Sequence, residues 1–150
     1  MPYSLFKFIH VGSMFLATAL AIGPAVLLYL VARTGTVDTV RRTFVHTTLV
    51  FRVAAAFYGL GLVFGFVTAQ NGSISVTAPW LVAAYLLILV LIAFNFTFER
   101  WTHRVEAAVS READADPSVV LRSRTPSYAL AGMVTATLLV VFVMVVKPSF

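Results

Sequence analysis

The chain has 150 residues, of which 60% are hydrophobic and 11% charged, with a net charge of +5 and no cysteine. A water-soluble domain carries about 25% charged residues, so this composition excludes an ordinary soluble enzyme. The missing thiols exclude disulfides, thiolate metal sites and cysteine catalysis.

Four apolar blocks follow one another, at about 5–32, 44–69, 79–98 and 127–146. Each is close to the roughly 20 residues that cross the hydrocarbon core at about 1.5 Å per residue. In lipid every backbone amide must be satisfied within its own segment, so each block is read as a helix. The fold expected is all-α, a four-transmembrane-helix bundle, as a single membrane domain over 1–150.

The first block opens on Lys7-Phe8-Ile9-His10 and contains small-residue runs such as Ala17-Thr18-Ala19. These features resemble a cleavable signal. The apolar run, however, continues past Gly23-Pro24 to Ala32, beyond the about 7–15 residues of a signal core, so it is read as a retained span. Gly23-Pro24 is expected to kink it. Ser13, Ala17, Ala21 and Ala25 recur every fourth residue and form one smooth face, suited to close helix packing in lipid, within the bundle or against a second copy. Lys7, His10 and Met14 share a neighbouring face, since residues three and four apart lie together on a helix.

The first connection is read as Arg33 to Thr43, with Arg33, Arg41 and Arg42 against Asp38. The second block carries His46 at its start, Arg52 within it, and Gly61, Gly65 and Ala69 at the same four-residue spacing. Arg52 lies eight residues beyond Phe44, about 12 Å along a helix. No Asp or Glu falls inside any block. Its partner is therefore a lipid phosphate, backbone carbonyls or an anionic ligand. The second connection, from Gln70 to Ala78, is uncharged.

The third block holds Asn95, a group that bridges helices or serves a site, and its helix is expected to run on through Glu99–Val109 with Trp101 at headgroup depth. The alternating charges there, with His103 among them, read as a solvated face. Pro117 breaks this helix, and Thr125-Pro126-Ser127 reads as the next helix start, a capping hydroxyl followed by proline. Ala129, Gly132 and Ala136 repeat the small-residue pattern in the fourth block.

Arginines crowd the first and third connections, so these face the cytoplasm, with both chain termini outside (N-out/C-out) in the inner (plasma) membrane. The net charge then reflects topology and not nucleic-acid binding. With both termini on one side, Lys7, His10 and Lys147 are expected at one membrane level. A neutral imidazole is a good ligand for haem iron, and lysines suit its propionates. A histidine that only hydrogen-bonds at a helix interface is the alternative.

The opening Tyr3-Ser4-Leu5-Phe6-Lys7-Phe8-Ile9-His10-Val11-Gly12 and the closing Val140–Pro148, with Met144 and Lys147-Pro148, resemble the two ends of DUF2269, a family of small bacterial four-helix membrane proteins. More distantly the chain is similar to HemJ-type protoporphyrinogen oxidases and to CopD-like copper membrane domains. The resemblance implies haem b, with His10 as its axial ligand. Leu121–Pro126 keeps the proline of the HemJ-type last-helix signature but has no asparagine or glutamate, so the oxidase activity is not carried over. CopD-like transport would draw on Met14, Met133 and Met144. Two functions are thus expected: a haem b redox protein using His10, Lys7, Lys147 and Arg52, or a non-catalytic accessory subunit within a larger membrane complex of respiratory or photosynthetic type. The partners are the lipid bilayer, other membrane subunits or a second copy. No paired carboxylates lie inside the membrane, which argues against an enzyme with a full acid/base set.

Overall fold

The computed structural model describes residues 2–110 and 121–148, apart from the side chains of Pro2, Val37, Val45, His46, Thr48 and Ser110. Four long helices make up the described residues: α1 (Pro2–Thr34), α2 (Val37–Asn71), α3 (Pro79–Ser110) and α4 (Thr125–Val146). All four are long and apolar enough to cross a membrane. The chain is an all-α, multi-pass membrane bundle.

The helices form two antiparallel hairpins. In the first, α1 packs on α2 along its length. Phe6 meets Phe64, with ring centroids 6.0 Å apart, and the Thr18 and Tyr58 hydroxyls lie 3.5 Å apart. In the second, α3 packs on α4, where Phe94 lies over Gly132. The hairpins join through α1 and α4, where Ser127 Oγ donates to the Tyr29 hydroxyl at 3.1 Å and Arg33 Nη2 donates to the Ser123 carbonyl at 2.8 Å. The first turn of α1 and the last turn of α4 therefore lie at the same end of the bundle.

Small residues make these approaches possible. Ser13, Ala17, Ala21 and Ala25 are all buried, and the stripe continues through Leu28 and Ala32. Its smooth face is spent inside the chain. Gly61 and Ala69 are buried opposite it on α2, and Ala129 and Ala136 are buried on α4. Pro24 lies inside α1 without ending it.

Two helices begin elsewhere than the apolar blocks suggest. The connection expected over Arg33–Thr43 is only Gly35-Thr36, because α2 starts at Val37. Thr36 caps it: its hydroxyl accepts from the Thr39 backbone N–H at 3.3 Å, and Asp38 sits in the first turn, where the helix dipole favours an anion. At α4 the cap is Arg124, with no side-chain hydrogen bond, and not Thr125. The hydroxyl in play is that of Ser123, which accepts from the Thr125 N–H at 3.2 Å. Pro126 lies in the first turn as expected.

The run-on of α3 is real and reaches Ser110. Glu99, Arg100, His103, Arg104 and Glu106 are exposed on one side, while Trp101, Val105 and Val109 are buried on the other. Trp101 is only 3% exposed and lies between Phe44 and Phe98, with centroids at 6.1 and 5.3 Å. The first turns of α2 supply the matching face through Val40 and Phe44, and Arg41 Nη2 donates to the Val109 carbonyl at 2.8 Å. That bond satisfies an orphan carbonyl in the last turn of α3 with a cation, the sign the dipole favours there.

Candidate functional site

The two hairpins do not close on each other everywhere. Between α2 and α3, with α1 as the back wall, lies a cavity of about 700 Å³. Met14 and Ala21 form part of that wall, and Phe51, Phe96 and Phe98 line the sides. Most of its lining is apolar. Among the described residues six polar side chains reach it: Arg52 and Tyr58 from α2, and Asn95, Glu99, Thr102 and His103 from α3.

Helix register explains why these residues share one cleft. Phe44 meets Trp101 at the closed end. Arg52 is eight residues beyond Phe44 and Asn95 six before Trp101, about 12 and about 9 Å along their helices in the same direction. The two therefore stand at nearly the same depth, while Glu99, Thr102 and His103 approach the rim.

Among the described residues Arg52 makes no hydrogen bond or ion pair. Asn95 spends its amide on its own helix, donating to the Leu91 carbonyl at 2.9 Å. It does not bridge two helices, and its side-chain oxygen takes no bond among the described residues. Thr102 likewise donates to the Glu99 carbonyl at 2.7 Å. Glu99 lies 3.8 Å from His103 Nε2, and Glu106 lies 3.7 Å from its Nδ1, so exposed His103 sits between two carboxylates. The side chain of His46 lies outside the described residues.

His10 is placed differently. Its Nδ1 lies 2.6 Å from the Gly61 carbonyl oxygen. A carbonyl only accepts, so Nδ1 carries a proton; in the neutral imidazole Nε2 is then the nitrogen with the lone pair. Gly65 is the reason the ring fits, since a Cβ there would meet Cε1 at 2.9 Å and Nδ1 at 3.0 Å. Met14, one turn on, fills the corresponding space at Gly61. The face carrying His10 and Met14 thus looks onto α2, as their position beside the small-residue stripe predicts, but Lys7 is exposed. Lys147 ends α4 in a left-handed conformation (φ 47°), with its ammonium over the Trp80 ring at 5.5 Å. Among the described residues, no hydrogen bond, ion pair or ring contact joins Lys7, His10 and Lys147 to one another. Met133 is buried in the core beside Leu130 and Ala129.

Of the groups singled out from sequence, the structure brings Arg52, Asn95, His103 and Met14 to the lining of one cleft. Tyr58, Glu99 and Thr102 were missed. Glu99 sits at the end of an apolar block and reads as the start of a connection, yet helical spacing places it one turn from Asn95 on the same face. No known family, curated protein or solved structure matches the chain, so the geometry carries the functional argument.

Proposed function

We propose that the chain is a membrane-embedded binding subunit whose α2–α3 cleft takes up an acidic amphiphile sideways from the bilayer, with Arg52 as its counter-ion. One observation carries this reading: an arginine about 12 Å along its helix from Phe44 lines a largely apolar cleft of about 700 Å³ and has no protein partner among the described residues. A guanidinium cannot shed its proton, and an unpaired cation at membrane depth is expensive. An acid group on a mobile hydrophobic molecule resolves both demands. Its head pairs with Arg52, with the free oxygen side of Asn95 and the Tyr58 hydroxyl alongside. Its tail lies against Phe51, Phe96 and Phe98. Nothing in this arrangement asks for bond breaking, which suits a non-catalytic role, alone or within a larger membrane complex. The arginine-rich end faces the cytoplasm and both termini face outward, on the loop asymmetry of lysine and arginine.

The test uses radiolabelled oleate, a simple acidic amphiphile, with the full chain in detergent. Saturable binding near one per chain is expected, weakened at least tenfold by Arg52→Gln and less by Arg52→Lys. Binding that is unsaturable, or equal in the wild type and Arg52→Gln, overturns the reading.

A second reading, haem b on His10, is favoured by the proton on Nδ1. A histidine that binds a metal through Nε2 usually donates its other nitrogen to a carbonyl or carboxylate, which fixes the ring. His10 is held this way by Gly61, and Lys7 and Lys147 stand at the same end of the bundle to meet anionic side groups. Haem would supply one-electron chemistry when bound. A Soret band in the purified protein, lost in His10→Ala, supports this reading, and a colourless protein after growth with added haem precursor refutes it.

A further inference from the structure

A second concave site lies at the opposite end of the bundle from the termini, where α1 ends and α4 begins. It has a volume of about 650 Å³ and is lined by Tyr29, Arg33, Arg122, Arg124, Ser127 and Tyr128. Three guanidiniums face this pocket and, among the described residues, no carboxylate lines it. Arg33 is fixed by its bond to the Ser123 carbonyl and by lying over the Tyr29 ring at 5.3 Å. The guanidiniums of Arg122 and Arg124 make no hydrogen bond or ion pair among the described residues. Topology alone asks only that arginines lie somewhere in a cytoplasmic connection. It does not ask that three of them converge on one hollow.

We infer that this pocket binds the headgroup of an anionic phospholipid carrying two phosphates, of the diphosphatidylglycerol kind. Guanidinium groups match phosphate oxygens in a bidentate fork, and three of them exceed the charge of a single phosphodiester. The tyrosine and serine hydroxyls add neutral partners of the kind that line basic pockets between membrane helices. The choice of a lipid over a free phosphate rests on what adjoins the pocket. Beside the pocket Leu30 is 52% and Tyr128 67% exposed, and further along the same two helices Leu27 on α1 and Val134 and Leu138 on α4 are exposed apolar residues. A headgroup seated among the arginines leaves its acyl chains lying along these residues. Arg52 and its cleft play no part in the argument.

The test measures thermal unfolding of the full chain in detergent on titration with diphosphatidylglycerol, with monophosphate phosphatidylglycerol, and with inorganic pyrophosphate. Diphosphatidylglycerol is expected to raise the midpoint saturably, at concentrations about tenfold below those phosphatidylglycerol requires, with no shift from pyrophosphate. Arg122→Gln with Arg124→Gln should weaken the effect about a hundredfold, near tenfold for each charge-assisted contact removed. Arg100→Gln with Arg104→Gln removes the same charge from the exposed face of α3 and should leave it intact. Equal loss in both double variants reduces the effect to net charge and overturns the site. A full shift from pyrophosphate alone overturns the lipid assignment, and equal potency of the two lipids overturns the two-phosphate assignment.

Discussion

Gly65→Ala isolates what His10 does in the folded chain. The new methyl would meet the imidazole Cε1 at 2.9 Å and Nδ1 at 3.0 Å. The ring must withdraw by about half an ångström to reach ordinary contact, and it is tethered by a 2.6 Å bond to the Gly61 carbonyl. Withdrawal strains or breaks that bond, worth about 1 kcal/mol net. Overpacking between α1 and α2 adds about 1–3 kcal/mol. Alanine's better helix propensity returns up to about 1 kcal/mol. The balance is a destabilisation of about 1–3 kcal/mol, read from unfolding of the purified protein in detergent.

The decisive measurement is the double-mutant cycle. His10→Ala removes the ring, so the methyl of Gly65→Ala then enters vacated space and only the propensity gain remains. The second substitution should become neutral or mildly stabilising in that background, giving a coupling of about 2 kcal/mol. Sites that do not communicate add to within about 0.5 kcal/mol. Additivity at that level would show that the imidazole does not occupy the hollow over Gly65, and the tautomer argument for Nε2 would go with it.

Three further outcomes are expected. Gly132→Ala sets a methyl inside the space of the Phe94 ring, and it should lower the unfolding midpoint until Phe94→Ala restores room; no change in the single variant would refute the α3–α4 approach. Arg41→Ala should raise amide exchange over Arg104–Val109 at least several-fold and leave Tyr85–Leu91 unchanged, because its bond to the Val109 carbonyl holds the far end of α3 on α2. Because the chain has no cysteine, single cysteines at Ser4 and Thr34 report orientation cleanly. An impermeant thiol reagent added to intact cells should label Ser4→Cys and spare Thr34→Cys, and the reverse pattern would invert the proposed topology.

Much of the fold is legible because membrane spans announce themselves by length and apolarity, and close packing in lipid by small residues at four-residue spacing. Ser13, Ala17, Ala21 and Ala25 could be assigned to an interface from the sequence alone, and His10 could be placed beside it. The start of α2 was not legible from apolar blocks, since residues 37–43 carry Asp38, Arg41 and Arg42 and fall outside any hydrophobic window. Their logic is that of a soluble helix: a threonine cap, an acid in the first turn, and Val40 and Phe44 on one buried face. The site was half legible. Arg52 and Asn95 stand out individually as polar groups inside apolar runs. Their meeting depends on how α2 and α3 slide against each other, and that register is fixed by Phe44, Trp101 and the Arg41 contact, which no spacing within either helix reveals.

Two driving forces operate in the two halves of this bundle, and the cleft lies where they meet. Within the hydrocarbon, lipid tails are as apolar as leucine, so helices associate through close backbone approach. That requirement joins α1 to α2 at Ser13–Ala25 and α3 to α4 at Gly132. Beyond the hydrocarbon, water restores the hydrophobic effect, and α2 and α3 are gathered there by Val40, Phe44, Trp101, Val105 and Val109. Along the middle of α2 and α3 neither force acts between the two, and they meet again only near their connection, where the Phe66 and Tyr85 rings stack at 6.2 Å. Arg52 and Asn95 replace small residues on the facing surfaces, and the bulky rings of Phe51 and Phe96 prevent close approach. The hairpins are thus clamped at one end, tied again by Phe66 and Tyr85 near the α2–α3 connection and parted between, which is how a four-helix bundle of only 150 residues keeps a lateral opening of about 700 Å³. If the parting is a consequence of those side chains, Arg52→Leu together with Asn95→Gly should let α2 and α3 close. The distance between spin labels at Leu62 and Ile88 should then shorten, and an unchanged distance would mean that the contacts at the two ends alone set the separation.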